Sequence, residues 1–203
     1  MIAIVDYGVG NLFSLCSSLR AIDAEAVVTD DPAVLAAADR IILPGVGAFG
    51  DAADKLRERG LFGVLRDLAA SGKPLMGICL GRQLLFEKGY EYGEHEGLGL
   101  IKGEVRPISE VIPEGLKIPH IGWNALHFEG EKSPIFRYLD EGDFVYFVHS
   151  FYGKNEDGSV IATAEYGAPL TAAVGRGNVY GCQFHPEKSG NVGLKILKAF
   201  CEV

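Results

Sequence analysis

Four short, β-branched, apolar runs, each leading into sequence of helical spacing, constrain this chain more than any other feature. They lie at residues 2–6, 26–29, 40–43 and 74–78. After the first, Leu12, Leu15, Leu19 and Ile22 recur at helical intervals, and residues 56–68 read as helix interrupted near Gly60. Strands that are apolar throughout and joined by helices belong in a parallel sheet covered on both faces. Function in such a sheet sits at the carboxyl ends of the strands. Three of those ends carry glycine pairs, Gly8/Gly10, Gly45/Gly47 and Gly77/Gly81. Glycine is in excess overall, 27 of 203 residues or about 13% against a usual ~7%, which implies sharp turns and close backbone approaches.

After about Gly93 the pattern changes. Alternating runs at 98–108, 125–128, 144–150, 160–164 and 171–174, separated by Gly, Pro and Asn, predict antiparallel strands or an irregular extension. A helix over roughly 191–200 closes the chain. Neither a low-complexity linker nor an internal repeat interrupts it, so residues 1–203 are expected to form a single α/β domain.

The composition excludes several classes. A formal charge of −8 without a block of like charges lacks the basic footprint of a nucleic-acid binder. No run approaches the roughly 18 apolar residues of a membrane helix. Cys16, Cys79, Cys182 and Cys201 form no C-x-x-C pair, so no metal site or redox dithiol is expected. The opening apolar run is too short for a signal core, which places the protein in a reducing cytoplasm.

Gly77-Ile78-Cys79-Leu80-Gly81 has the form G-x-nucleophile-x-G, after an apolar strand and before Gln83-Leu84-Leu85-Phe86-Glu87, which reads as helix. Such a strained turn holds a nucleophile out of the sheet, and a helix N-terminus there favours thiolate. The other three cysteines read as structural. His185 and Glu187 of Gln183-Phe184-His185-Pro186-Glu187 could point the same way from an extended segment, as base and orienting carboxylate. A free thiol of pKa about 8.5 is ~3% ionised at pH 7, so full ionisation gains only about 30-fold. Most of the rate therefore depends on positioning and on an oxyanion hole, in which one donor is worth about 10²–10³. The candidate donors are backbone N–H groups of Val46 or Gly47 in Pro44-Gly45-Val46-Gly47-Ala48-Phe49-Gly50, and of Leu80.

The three segments G-I-C-L-G with Gln83, Q-F-H-P-E and P-G-V-G together resemble the class I (triad) glutamine amidotransferases. Residues 6–11 (D-Y-G-V-G-N), 119–124 (P-H-I-G-W-N) and 147–152 (F-V-H-S-F-Y) narrow the resemblance to the glutaminase subunits of imidazole glycerol phosphate synthases, over essentially the whole chain. The resemblance implies the class I amidotransferase fold, a mostly parallel sheet flanked by helices. It also implies hydrolysis of L-glutamine by Cys79, His185 and Glu187 through a γ-glutamyl thioester without a cofactor, with ammonia passing to a cyclase subunit of (β/α)8-barrel fold. It places Gln83, Gly45, Ser150 and Phe151 at the substrate and Asn11, His120, Trp123 and Lys188 at the partner interface. Arg82 stands where these enzymes usually have an apolar residue, and its guanidinium is expected to snorkel to solvent. Phe151 stands where tyrosine is frequent. The competing readings are the glutaminase of pyridoxal phosphate synthase, a cysteine peptidase using the same elbow, and a non-catalytic partner-binding protein.

Overall fold

The computed structural model of the chain describes residues 1–155 and 157–203. The first half forms β1 (Ile2–Val5), α1 (Leu12–Ala21), β2 (Ala26–Thr29), α2 (Pro32–Ala37), β3 (Arg40–Leu43), α3 (Phe49–Glu58), α4 (Leu61–Ala70) and β4 (Leu75–Ile78). All four predicted strands are present. Gly60, at φ +69°, divides the predicted helix into α3 and α4. The short α2 was not anticipated; Asp31 caps it, accepting from the Ala33 N–H at 2.8 Å.

The remaining elements are α5 (Leu80–Gln83), β5 (Phe86–Gly89), β6 (His95–Glu96), β7 (Ile101–Pro107), β8 (His120–Ala125), β9 (His127–Phe128), β10 (Phe144–His149), β11 (Phe151–Lys154), β12 (Val160–Glu165), β13 (Pro169–Arg176), β14 (Val179–Cys182) and α6 (Gly190–Phe200). The main sheet has the order β2-β1-β3-β4-β14-β13-β12-β9. Its first five strands are parallel, and the remaining three continue it antiparallel. Smaller sheets β11-β7-β5-β6 and β10-β8 make up the extension.

Alternation along the buried strands supplies two cores. Ile2 and Ile4 of β1 pack with Leu15 and Leu19 of α1 and with Ile196 and Phe200 of α6. Ala3 and Val5 face the opposite way, toward Leu56 of α3 and Leu65 of α4. β14, which the sequence reading did not mark as a strand, matters most for the site. It pairs with β4 in register Cys182↔Ile78, bringing the segment after it beside Cys79.

One expectation fails next to the elbow. The helix predicted to run through residues 83–87 is a single turn that ends at Gln83, and the chain then enters β5. Leu84, Leu85 and Phe86 are all fully buried, and backbone bonds from Leu98, Gly99 and Leu100 tie this stretch to the extension. Tertiary pairing overrides local helix preference here. A one-turn helix has little dipole to direct at the Cys79 sulfur.

Candidate active site

The elbow is shaped by the space its glycines leave. Cys79 has φ +54° and ψ −111°, a conformation costly for any residue with a Cβ. A Cβ on Gly77 would stand 2.6 Å from the Gly81 carbonyl oxygen, and one on Gly81 only 1.9 Å from the Leu43 carbonyl oxygen. The glycines thus allow the turn to close on itself and dock against the end of β3. The Cys79 N–H donates to the Cys182 carbonyl at 2.8 Å, continuing the β4–β14 ladder into the turn.

After β14, His185 and Glu187 do meet, but across a 3-10 turn over Pro186–Lys188 rather than along the extended segment expected, because Pro186 fixes φ and starts the turn. His185 Nδ1 lies 2.8 Å from Glu187 Oε1, with both side chains almost wholly buried. Burial alone would discharge the imidazole. Hydrogen bonds to Cys79 and Glu187 and their negative charges outweigh it, raising His185 to about 9. The imidazole is therefore charged at neutral pH and stands beside the Cys79 sulfur. Gln183 joins them, its Nε2 donating to Cys79 Sγ at 3.9 Å.

Loop 44–47 after β3 has an anchored half and a free half. Tyr7 donates its hydroxyl to the Pro44 carbonyl at 2.7 Å, and a Cβ on Gly45 would come within 2.7 Å of both Tyr7 Oη and Gly81 N. Gly47 instead has φ +99° with nothing within 4 Å of a Cβ position, so its conformation, not crowding, calls for glycine. Val46 is exposed. The Leu80 N–H, expected to be free for an oxyanion, donates to the Gly45 carbonyl at 3.3 Å.

A cavity of about 350 Å³ opens beside Cys79 and His185, lined also by Val46, Gly47, Leu80 and Gln83. The extension supplies the far wall with Ser150 and Phe151, and Lys188 borders it. Gln83, which lines the cavity, donates its Nε2 to Gln183 Oε1 at 3.2 Å. Gly45, expected at the substrate, does not line this cavity; because its Cβ face packs on Tyr7 and Gly81, it lines instead a separate small crevice with Asn11 and Glu187, and Asn11 also caps α1 by accepting from the Ser14 N–H at 3.4 Å.

Glu91 and His149 also line the cavity and were not singled out from the sequence. Glu91 accepts the Phe49 N–H at 2.9 Å. Burial pushes His149 down to about 3, so the ring is neutral. Its Nδ1–H donates to the Phe151 carbonyl at 2.8 Å, and its Nε2 lies 3.0 Å from His120 Nδ1. His120, predicted at the partner surface, is instead only 4% exposed, stacked between Phe147 and Tyr166. The antiparallel register His149↔His120 of β10 and β8 creates this pair, and register between distant strands has no local signature. Arg82 is likewise corrected: it is fully buried, enclosed by Gln183, Thr171 and Phe86, not extended to solvent.

The family model described as glutamine amidotransferase class-I matches residues 3–202. The imidazole glycerol phosphate synthase subunit HisH of Wolinella succinogenes is 50% identical over 206 residues, covering 100% of both chains. That of Aquifex aeolicus is 52% identical over 97% of this chain and 94% of its own. The chain belongs to the HisH family of class I glutamine amidotransferases.

Solved structures agree on the fold of this HisH chain. A structure of PurLQS from Thermotoga maritima matches with TM-score 0.75 at 26% identity, covering 99% of this chain and 97% of that one. A glutamine amidotransferase crystal structure matches with TM-score 0.77 at 20% identity. As a member of that family, the chain is the glutaminase subunit of an imidazole glycerol phosphate synthase. Among the described residues no helix is long and apolar enough to cross a membrane.

Proposed function

We propose that the chain, acting as one cytoplasmic domain of 203 residues, hydrolyses L-glutamine to glutamate and delivers ammonia to a (β/α)8-barrel cyclase that forms imidazole glycerol phosphate and AICAR. The observation that carries the chemistry is Cys79 on a strained elbow beside a charged His185 in a cavity of about 350 Å³. Cys79 Sγ attacks the side-chain carbonyl carbon of glutamine and forms a C–S bond. His185 gives its proton to the amide nitrogen, the C–N bond breaks, and ammonia leaves. Water then attacks the thioester, His185 takes a proton from it, and glutamate is released with the thiolate restored. Glu187 holds the imidazole in the tautomer this requires. The Glu91 carboxylate and the Gln83 carbonyl oxygen are acceptors suited to the α-ammonium of glutamine, while Ser150 and Phe151 border its backbone end.

An oxyanion hole needs donors that are free. The Leu80 N–H is taken by Gly45, so turning loop 44–47 would both release it and swing a Val46 or Gly47 N–H toward Cys79. Gly47 permits such a rotation at little steric cost. The subunit alone is therefore expected to be nearly idle, rising by about 10²–10³ per donor recruited when the cyclase and its ligand bind. Glutamate release by the chain alone, with cyclase, and with cyclase plus its substrate decides this. Equal rates in all three states refute gating.

The partner surface is expected on the exposed side of β8. Ile121 and Trp123 are 58% and 54% exposed, whereas His120 beside them is buried. Trp123 also lies about 4.0 Å from the Cβ position of Gly190, which shares a surface cavity with the exposed Phe13. Lys188 Nζ lies 6.0 Å from the centre of the Tyr146 ring, which meets Trp123 edge-on, and Asn11 shares a crevice with Glu187. Trp123→Ala is expected to weaken cyclase binding by about 2 kcal/mol, some thirtyfold, with the melting temperature of the lone subunit unchanged. Unchanged affinity, or a large fall in melting temperature, would return Trp123 to a structural role.

A further inference from the structure

Arg82 is a buried cation with an unusual set of neighbours. Its Nη1 donates to Gln183 Oε1 at 3.0 Å and its Nη2 to the Thr171 carbonyl at 3.3 Å, while the buried Nε finds no acceptor. The guanidinium lies 5.0 Å from the centre of the Phe86 ring. Among the described residues no carboxylate comes within ion-pair distance of it. Two strand glycines make room: a Cβ on Gly181 would stand 2.5 Å from Arg82 Cγ, and one on Gly153 2.8 Å from Nη2. A cation placed in such a slot without a counter-ion is costly unless something nearby uses its charge.

The arrangement around Gln183 identifies that use. Gln183 Oε1 accepts from both Arg82 Nη1 and Gln83 Nε2, which orients the amide so that its Nε2 faces Cys79 Sγ at 3.9 Å. We propose that Arg82 is a positioning residue for the nucleophile: it locks and polarises the Gln183 amide so that an N–H donor and a buried positive charge stand behind the Cys79 thiolate. The inference rests on the reading of Cys79 as nucleophile. A charge-assisted bond to Gln183 Oε1 strengthens donation from the other end of the same amide, and low surrounding polarity enlarges the effect. The one-turn α5 supplies little dipole, so Arg82 fills the electrostatic place a longer helix would take.

Burial lowers Arg82 to about 9, so it stays charged at neutral pH, while burial raises the neighbouring Cys182 thiol and keeps it neutral. Several other ionisable groups surround the sulfur. His185 and Glu187 follow β14, Cys182 ends it, Tyr7 follows β1, and His149, Glu91 and Lys188 line the cavity. All of them remain in an Arg82 variant, so a change on substitution reports Arg82.

The test is the pH dependence of Cys79 alkylation by iodoacetamide, identified by peptide mass, in the parent, Arg82→Met and Arg82→Lys proteins. Arg82→Met is expected to raise the alkylation midpoint by about one pH unit, and Arg82→Lys by less. The melting temperature of Arg82→Met is expected to stay level or rise, because an uncompensated buried cation has gone. Function and stability then move in opposite directions, which a merely structural arginine would not produce. An unchanged midpoint in folded Arg82→Met overturns the proposal; should that variant not fold, Arg82→Gln is read the same way. If alkylating Cys79 leaves glutamine hydrolysis by the complex with cyclase intact, the nucleophile reading itself falls. If alkylation abolishes hydrolysis but all midpoints coincide, only the role of Arg82 falls.

Discussion

Cys79→Ala is expected to abolish glutamine-dependent synthesis by the assembled synthase, by a factor on the order of 10⁶, while ammonium salts still sustain the cyclase. The sulfur forms the bond that splits the amide, and no neighbouring group replaces it. His185→Ala in the Cys79→Ala background should cost almost nothing more, since members of one catalytic unit fail together. Glu187→Gln should be milder than His185→Ala, because orienting the base matters less than having one. In the parent protein, hydrolysis should fall as pH rises through about 9, where His185 loses the proton it gives to the departing ammonia. Glutamate release by the complex and synthesis with ammonium are the measurements. Additive losses in the double variant, or normal glutamine hydrolysis by Cys79→Ala, would overturn the triad.

The second large effect concerns folding. Gly81→Ala would place a Cβ 1.9 Å from the Leu43 carbonyl oxygen and 2.8 Å from its carbon, both backbone atoms of a buried strand. Neither can move without disturbing the β1-β3-β4 pairing, so a loss of about 3 kcal/mol or more is expected. The same substitution at Gly63, in the first turn of α4 and with nothing within 4 Å of the new Cβ, should stabilise by about 0.5 kcal/mol. Urea unfolding of the two variants distinguishes them by sign. If both change stability alike, crowding at the elbow is not what demands glycine.

Much of this molecule is legible in its sequence. The runs at 2–6, 40–43 and 74–78 carry apolar side chains on both faces, and a sheet covered on both sides satisfies them, whereas 26–29 forms the sheet edge and keeps Ala26 and Val28 exposed. G-I-C-L-G announces the elbow because a strained nucleophile between crowded turns requires glycine on either side. His185 and Glu187 are only two residues apart, and a single 3-10 turn over Pro186–Lys188 is enough to bring them together. These features depend on near neighbours, so spacing along the chain contains them.

What the tertiary structure alone decided involves residues far apart in the chain. Helix preference at 83–87 loses to β5 because Leu98, Gly99 and Leu100 offer it backbone bonds. His120 is buried rather than exposed because β8 and β10 pair in a register that sets it against His149. Leu80 N–H is engaged because β3 delivers the Gly45 carbonyl to it. Arg82 lies inside rather than outside because Gly153 on β11 and Gly181 on β14 leave it a slot, and Gln183 an acceptor. Local spacing sets which way a side chain leaves its own strand or helix; the space and partners it then meets belong to other segments, and only the packed fold brings those together.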